Sequence, residues 1–312
     1  MVTIEWWRGT DLIHGQCEEA SRQGLVTNLR GRTCIVTGAS DGIGRETARG
    51  LARLKGRVLL VCRDEARGYK AKEDIRRTTQ NDSVELFVAD LGSQRAIRRV
   101  ADDIRARHDR IHVLVNNAGL ITRERSVTED GIETQLAVNH LAPFLLTNLL
   151  IDPLRSSAPA RVVNVASLVE GAGRVDFSNL HGENRYDPIV AYCQSKLANV
   201  LFTYELARRL RGTGVAVNCL HPGAIATKLL ADYAGRPRRV AFINRLRYPG
   251  PVEGARTSIY LASSPEIEGV TGTFFVDGRP ATSSAASRDV DVQARLWEVS
   301  AQLTNLTTPV TA

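Results

Sequence analysis

The stretch that decides the fold reads TCIVTGASDGIGRETARGLAR, from Thr33 to Arg53. Its first five residues, Thr33 to Thr37, are apolar or β-branched and predict a buried strand. Three glycines follow, Gly38, Gly42 and Gly44, and after them the apolar spacing becomes helical. Glycines between a strand and a helix allow a tight turn and a close approach to a pyrophosphate, whose charge the helix N-terminus stabilises. The stretch therefore predicts the nucleotide-binding turn of an α/β fold.

Strand and helix patterns alternate along the rest of the chain. Six further β-branched runs predict strands at 57–62, 84–89, 112–115, 161–166, 215–220 and 273–276, and helical spacing occurs between them, as at 42–55 and 94–107. Continuously apolar strands such as Val113-Leu114-Val115 indicate burial on both faces, as a parallel sheet requires. We therefore predict an α/β fold with a single Rossmann-like, doubly wound parallel sheet of seven strands and helices on both faces.

Composition excludes several classes of protein. With 43% hydrophobic and 24% charged residues among 312, the chain can form a core and is not disordered. The net charge is +7, and basic residues alternate with acids, as in Arg123-Glu124-Arg125, so no nucleic-acid partner is predicted. The six histidines lack metal-site spacing, and no metal is predicted.

Cysteine usage and hydropathy indicate the compartment. The five cysteines form no CxxC pair, and their odd number leaves at least one unpaired, which favours a reducing environment. No window approaches 18 uninterrupted apolar residues, and the N-terminus lacks a signal-peptide core. We therefore expect a soluble, cytoplasmic protein without a transmembrane segment.

The chain divides into an N-terminal extension over 1–30 and one domain over 31–312. The extension carries Trp6-Trp7, which either pack on the body of the protein or touch a membrane interface. The segment 228–250 mixes Arg, Tyr, Phe and Ile before Pro249-Gly250-Pro251. We interpret it as a substrate lid; the alternative is an amphipathic helix that packs on the body.

The second predicted strand ends in Cys62-Arg63, where a carboxylate would bind the ribose 2′-hydroxyl of NAD. An arginine there suits a 2′-phosphate instead, so NADP(H) is predicted. Arg45, in the first turn of the helix after the glycine turn, could assist Arg63. Asp41 in the glycine turn counts against this interpretation, and Arg63 could also be ordinary surface charge.

Ser167 ends the fifth predicted strand, and Tyr192 and Lys196 follow in the next helix. Side chains at i and i+4 share one helix face, so the Lys196 ammonium is expected to lower the pKa of the Tyr192 phenol from about 10. Such a phenol can exchange a proton with an alcohol or carbonyl oxygen. By chance alone, however, Tyr-x-x-x-Lys occurs in many helices.

Asn139 lies four residues before Pro143 in a helical stretch. Because proline has no N–H and its ring clashes with the carbonyl four residues earlier, the helix is expected to open at Asn139. A simple proline kink is the alternative.

These motifs together resemble the short-chain dehydrogenase/reductase family. The resemblance rests on TGxxxGxG at 37–44, NNAG at 116–119, Tyr192-x-x-x-Lys196 and HPG at 221–223, in that order. The stretches YCQSKLANVLFTYELARRL at 192–210 and RLWEVS at 295–300 resemble the retinol dehydrogenase group of the family, including its relatives fused to WW domains. Residues 228–250 do not match, so retinoid specificity is not implied.

The resemblance implies a catalytic tetrad of Asn139, Ser167, Tyr192 and Lys196, with a water on the Asn139 carbonyl that touches Lys196. Asp90-Leu91 would shape the adenine pocket, and the turn after His221 would meet the nicotinamide. As the alternative, Asp90 and the Asn-Gly turn merely end strands. The cofactor-binding residues it implies are Gly38, Ser40, Asp41, Gly42, Ile43, Gly44, Arg63, Asp90, Leu91, Asn117, Ala118, Gly119, Tyr192, Lys196, Pro222, Gly223, Ile225 and Thr227.

The expected function is hydride transfer between NADP(H) and a carbonyl or hydroxyl carbon of a small apolar substrate. Retinal-like aldehydes and aromatic or polyketide ketones are both candidates. A non-catalytic NADP(H)-sensing interaction protein is the alternative, although such proteins usually lose the tyrosine or lysine. Relatives often pair through the helices that contain Asn139 and Tyr192, so a homodimer is one option.

Overall fold

The architecture rests on one twisted sheet. A computed structural model describes residues 28–223 and 250–307. Its strands are β1 (Thr33–Thr37), β2 (Arg57–Cys62), β3 (Val84–Val88), β4 (Val113–Asn116), β5 (Ala160–Val165), β6 (Val215–His221), β7 (Thr273–Val276) and β8 (Arg279–Ala281). They lie in the order β3-β2-β1-β4-β5-β6-β7-β8, and all neighbours are parallel except β7 and β8. The predicted α/β Rossmann-like fold is confirmed.

Helices connect the parallel strands. They are α1 (Gly42–Arg53), α2 (Glu65–Thr79), α3 (Gln94–Arg107), α4 (134–149), α5 (Ile151–Arg155), α6 (Pro188–Arg209), α7 (Pro251–Ser263) and α8 (Val290–Leu303). Helix α4 is π-helical at Ala137–Leu141, between α-helical turns at Thr134–Leu136 and Ala142–Leu149. One turn of 3₁₀ helix, Leu168–Ala172, follows β5.

The sheet has one strand more than the seven predicted. Strand β8 pairs antiparallel with β7 through the turn Asp277-Gly278, where both residues have positive φ, 49° and 73°. Asp-Gly between two short runs is the typical sequence of such a hairpin, so the signal was present. Pro280 in β8 removes one N–H donor, which an edge strand tolerates.

Two apolar layers cover the two faces of the sheet. On one face, α1 and α7 pack over a cluster that includes Val36, Leu60 and Val115. On the other, α3, α4 and α6 pack over a cluster that includes Ile35, Leu59 and Leu114. Alternate residues of one strand thus face opposite layers, which is why the central strands are apolar throughout.

The strand order reverses direction between β1 and β4. The chain runs outward from β1 to β3 on one side and from β4 to β7 on the other, so the loops after β1 and β4 diverge. In doubly wound sheets, ligands bind in the crevice beyond the carboxyl ends of the strands at this point. The predicted glycine turn and the NNAG motif therefore flank the same crevice.

Some of the predictions fall on residues that the structure does not describe. They are the extension over 1–27, the lid over 228–249, and the cofactor contacts Ile225 and Thr227. The division of the chain at residue 30 therefore stays a prediction. Within the described residues, no helix has both the length and the apolar character that crossing a bilayer would take.

Candidate active site

A cavity of about 620 Å³ lies beyond the carboxyl ends of the central strands. It brings together nearly all of the predicted site residues that the structure describes. They are Gly38, Ser40, Asp41, Gly42, Ile43, Gly44, Arg63, Asp90, Leu91, Asn117, Ala118, Gly119, Ser167, Tyr192, Lys196, Pro222 and Gly223. The exception is Asn139, which is fully buried behind the cavity wall.

The turn after β1 has glycine at positions where a side chain would be strained or would clash. Gly38 and Gly42 adopt φ of +67° and +57°, a region that disfavours residues with a Cβ. A Cβ on Gly44 would lie 2.3 Å from Asn117 Nδ2 and 2.4 Å from the Gly38 carbonyl oxygen. Asn117 fixes the turn from the other side, because its Nδ2 donates to the Thr37 carbonyl at 2.9 Å. This cradle, opening at the N-terminus of α1, fits the pyrophosphate of a dinucleotide.

Two arginines line the end of the cavity next to the glycine turn. Arg63 follows β2, and Arg67 lies in the first turn of α2, which Asp64 caps by accepting the Arg67 N–H at 2.9 Å. The Arg67 guanidinium donates to Asp41 Oδ2 at 3.0 Å, while Asp41 Oδ1 accepts the Gly42 N–H at 2.8 Å. Asp41, which counted against a 2′-phosphate, is therefore paired with a cation.

Arg45 does not assist Arg63. Its guanidinium forms an ion pair with Glu46 at 3.2 Å, and the residue does not line the cavity. Arg67 lies near Arg63 instead, one helical turn further along the chain. Side chains in the first turn of a helix point back toward the helix N-terminus. An arginine in that turn, such as Arg67 after Arg63, is therefore a sequence signal that would have identified Arg67.

Ser167 lies where β5 ends, at the start of the 3₁₀ turn Leu168–Ala172. Its Oγ accepts the Val169 N–H at 3.4 Å. The Leu168 N–H donates to His221 Nδ1 at 3.3 Å, and burial lowers the pKa of His221, which keeps this nitrogen an acceptor. His221 thereby joins the ends of β5 and β6, and it also lines the cavity, a contact that the sequence interpretation did not assign.

Tyr192 and Lys196 project into the cavity from one face of α6, as their spacing predicted. The Lys196 Nζ donates to the Val165 carbonyl at 3.0 Å and lies 5.7 Å from the centroid of the Tyr192 ring. Burial raises the pKa of the Tyr192 phenol to about 12 and lowers the pKa of Lys196 to about 8. The pKa of Tyr192 is therefore raised in this structure where a lowered value was expected, and burial is the main cause.

Asn139 lies within the π-helical segment of α4, so the predicted opening of the helix before Pro143 is confirmed. Its side chain binds the backbone of Leu120 on both sides: Oδ1 accepts the N–H at 2.8 Å and Nδ2 donates to the carbonyl at 2.9 Å. Nδ2 also donates to Ser195 Oγ at 3.0 Å. A Cβ on Gly119 would lie 3.4 Å from Asn139 Oδ1 and 3.5 Å from Lys196 Nζ, so a side chain here would contact both groups.

Apolar residues complete the catalytic end of the cavity. Leu120 and Val169 line the cavity there, and sequence reasoning assigned neither of them. They come from two elements that are distant along the chain, so a local pattern could not have grouped them. In the described part of the chain, no group of three or more His, Cys, Asp and Glu residues could hold a metal ion.

The C-terminal helix α8 covers both helices that carry catalytic candidates. The Trp297 ring packs 4.9 Å from Phe144 of α4 and 6.0 Å from Phe202 of α6, measured between centroids. Ser300 Oγ and His140 Nε2 lie 2.8 Å apart, which joins α8 to the π-helical segment. This packing holds α4 and α6 at a fixed spacing.

The chain resembles known proteins over most of its length. Residues 32–236 match the family model for short chain dehydrogenases. Retinol dehydrogenase 11 of Homo sapiens is 42% identical over 281 residues, which cover 90% of this chain and 88% of that protein.

Two solved structures show the same fold. A protein from Mycobacterium Paratuberculosis has a TM-score of 0.75 and 34% identity, covering 92% of this chain and 97% of that one. A short chain dehydrogenase from Escherichia coli CFT073, complexed with NADPH, has a TM-score of 0.67 and 26% identity, covering 82% and 99%.

Proposed function

The chain belongs to the short chain dehydrogenase family, and from that premise we propose that it is an NADP(H)-dependent reductase of apolar carbonyl compounds. One observation carries the proposal. Ser167, Tyr192 and Lys196 line the same cavity as the glycine turn and two arginines, with Asn139 directly behind its wall. An NADP(H)-sensing protein without turnover would not need these groups together, so we favour the enzyme.

NADP(H) is the cofactor that the cavity suits. The turn at Gly38–Gly44 would hold the pyrophosphate, and Arg63 with Arg67 would bind the 2′-phosphate by charge-assisted hydrogen bonds. Asp41 is paired with Arg67, so its carboxylate would not oppose that phosphate. The complex of the Escherichia coli relative with NADPH is consistent with this choice. When bound, the nicotinamide supplies or accepts the hydride.

The side chains of this chain would handle the proton and orient the substrate. In reduction, Ser167 would donate a hydrogen bond to the substrate carbonyl oxygen, and the Tyr192 hydroxyl would deliver the proton to it. With a pKa raised to about 12, the phenol keeps its proton at neutral pH, which is the form that reduction requires. Lys196 would bind the nicotinamide ribose, and Asn139 would take part in a water relay that resupplies the proton.

The substrate we propose is a small apolar aldehyde or ketone. Leu120 and Val169 give the catalytic end an apolar wall. The similarity to retinol dehydrogenase 11 makes retinal one candidate, and aromatic or polyketide ketones are the others. The segment 228–250 would serve as the substrate lid.

A cytoplasmic location is part of the proposal, because the four cysteines that the structure describes are all buried and unpaired. A homodimer through α4 and α6 remains an option. Since α8 packs across both helices, such a dimer would have to form around α8 or displace it.

The test combines binding with turnover. Calorimetry should show tighter binding of NADPH than of NADH, and NADPH oxidation should be followed with retinal, aromatic ketones and polycyclic quinones. Oxidation with at least one apolar carbonyl would support the proposal. Binding of NADPH without turnover across the whole set would favour the sensing alternative, and tighter binding of NADH would overturn the cofactor assignment.

A further inference from the structure

Tyr186 lies six residues before Tyr192, in the loop that leads into α6, and its hydroxyl has three polar neighbours. It donates to Glu133 Oε1 at 3.1 Å, accepts from Gln135 Nε2 at 2.9 Å, and lies 2.9 Å from Thr122 Oγ1. A phenol has one proton and accepts two hydrogen bonds at most. Because the proton goes to Glu133, Thr122 must donate, and the hydrogen-bonding capacity of the hydroxyl is full.

The partners of Tyr186 are themselves fixed. Glu133 is buried, and its two oxygens accept the N–H groups of Gln135 at 2.9 Å and Leu136 at 2.8 Å, which caps the start of α4. Burial is the main cause that raises the pKa of Tyr186, so the phenol stays protonated. Gln135 is fully buried, and its Nε2 also donates to the carbonyl of Pro188 at 3.0 Å.

These contacts join the three elements that carry the catalytic end of the cavity. Leu120 lines the cavity, and Thr122 lies two residues after it. Gln135 and Glu133 begin the helix that contains Asn139, and Pro188 begins the helix that contains Tyr192. Asn139 binds Leu120, and Tyr186 binds Thr122, so this short segment is held at two points.

We propose that Tyr186 is a positioning residue, whose hydroxyl sets the distance between the Leu120 wall and the start of α6 and so aligns Tyr192 with the substrate. This role rests on the proposed function. A hydroxyl carried by one segment and bound to two others resists small relative shifts of the three. A misplacement of about 1 Å at a reacting group can cost about 100-fold in rate. The cofactor contacts at the glycine turn lie elsewhere and should not change.

The test is Tyr186→Phe, which keeps the ring and removes only the hydroxyl. We expect kcat to fall about tenfold or more, with the Kd for NADPH within twofold of the unmodified protein. Amide hydrogen exchange should quicken in peptides covering 118–124 and 189–194. The matched control is Tyr260→Phe. The Tyr260 hydroxyl also donates to a glutamate, Glu266, at 3.0 Å, but Tyr260 lies on α7 and not beside Tyr192. It should leave kcat unchanged.

A second pair of variants separates positioning from loss of stability. Thr122→Val removes the hydroxyl that donates to Tyr186 and should lower kcat severalfold. Thr122→Ser keeps the hydroxyl, so its kcat should be close to that of the unmodified protein. Combining Thr122→Val with Tyr186→Phe should add little, because Tyr186→Phe already removes the contact that Thr122→Val breaks. Additive losses, or a kcat of Tyr186→Phe within twofold of the unmodified protein, would overturn the proposal.

Hydrogen exchange keeps this result separate from the proposed function. If no carbonyl compound is turned over by the unmodified protein, the proposed function fails. The exchange comparison between Tyr186→Phe and Tyr260→Phe then still decides the positioning role. Unchanged exchange at both 118–124 and 189–194 would overturn it.

Discussion

The two ends of the cavity are built from different interactions. At the end beside the glycine turn, Arg67 and Asp41 form an ion pair whose side chains are 45% and 48% exposed. At the catalytic end, Asn139 is 0% and Lys196 is 5% exposed, and their contacts are hydrogen bonds to backbone carbonyls and neighbouring side chains. One end is charged and open to water, and the other is buried and held together by hydrogen bonds.

This difference indicates what each end can do. Exposed ion pairs are screened by salt and contribute about 0 to 1 kcal/mol, so the charged end can bind and release a phosphate readily. Buried groups lose their hydration, which changes their pKa values and makes each missing partner costly. We therefore expect substitutions at the buried end to have the larger effects.

The largest effect should come from Tyr192→Phe. The ring still packs, so the variant should fold and bind NADPH, but without the proton donor turnover should fall roughly 10²- to 10⁴-fold. NADPH oxidation on the best substrate measures the loss, and calorimetry checks the binding. Near-full activity would mean that another group delivers the proton.

Arg63→Ala tests the charged end. Removing one charge-assisted contact with the 2′-phosphate should cost about 1.5 to 3 kcal/mol, or roughly 10- to 150-fold in NADPH affinity. NADH affinity should change much less, because NADH lacks this phosphate. Since Arg63 is exposed, the loss should also shrink at high ionic strength, and a loss that salt does not reduce would contradict the comparison.

His140 tests the buried end through pH. Burial lowers its pKa from 6.5 to about 4, so between these values the unfolded chain binds a proton that the folded protein excludes. Stability should therefore fall as the pH drops below 6.5, by roughly 2 kcal/mol at pH 5, given about 1.4 kcal/mol for each pKa unit. Urea unfolding at pH 7 and pH 5 measures the change. His140→Asn, which does not titrate, should lose less between these values; an equal loss would assign the effect to other groups.

Arg67→Ala should have a smaller effect than Arg63→Ala. It breaks an exposed ion pair and leaves Asp41 unpaired near the phosphate, so NADPH affinity should fall about two- to fivefold, or up to about 1 kcal/mol. The double variant Arg67→Ala/Asp41→Asn removes the unpaired charge and should recover part of the loss. Titrations with NADPH at low and high salt measure both, and no recovery would mean that Arg67 binds the phosphate without involving Asp41.

The smallest effect on the cofactor should come from exchanging the segment 228–250 for that of a relative with another specificity. The ratio of kcat/KM between substrates should change, whereas NADPH affinity should stay within about threefold, or roughly 0.65 kcal/mol. A chimera that keeps the parent's substrate ranking would show that the substrate pocket is formed elsewhere, with the segment 168–190 as the next candidate.

Much of the fold could be predicted from local patterns. The strands at Thr33–Thr37 and Arg57–Cys62 were predicted with their observed bounds. The signal for such a strand is local, because it consists of a short β-branched run with polar turn residues at each end. The spacing of Tyr192 and Lys196 gave their shared helix face. The hairpin to β8 was not predicted, although Asp277-Gly278 is a typical hairpin turn. Arg67 was not assigned to the site, and Arg45 was proposed in its place.

The amino-acid sequence by itself determined the parallel sheet and the glycine turn, since each strand and turn depends on local spacing, and the order of its motifs identified the catalytic candidates through a family resemblance. Tertiary structure alone decided that Arg67 meets Asp41, 26 positions away, and that Tyr186 meets Glu133, 53 positions away. It also decided the raised pKa of Tyr192. Such contacts depend on how whole helices pack across the sheet, and a pKa depends on how much water that packing removes.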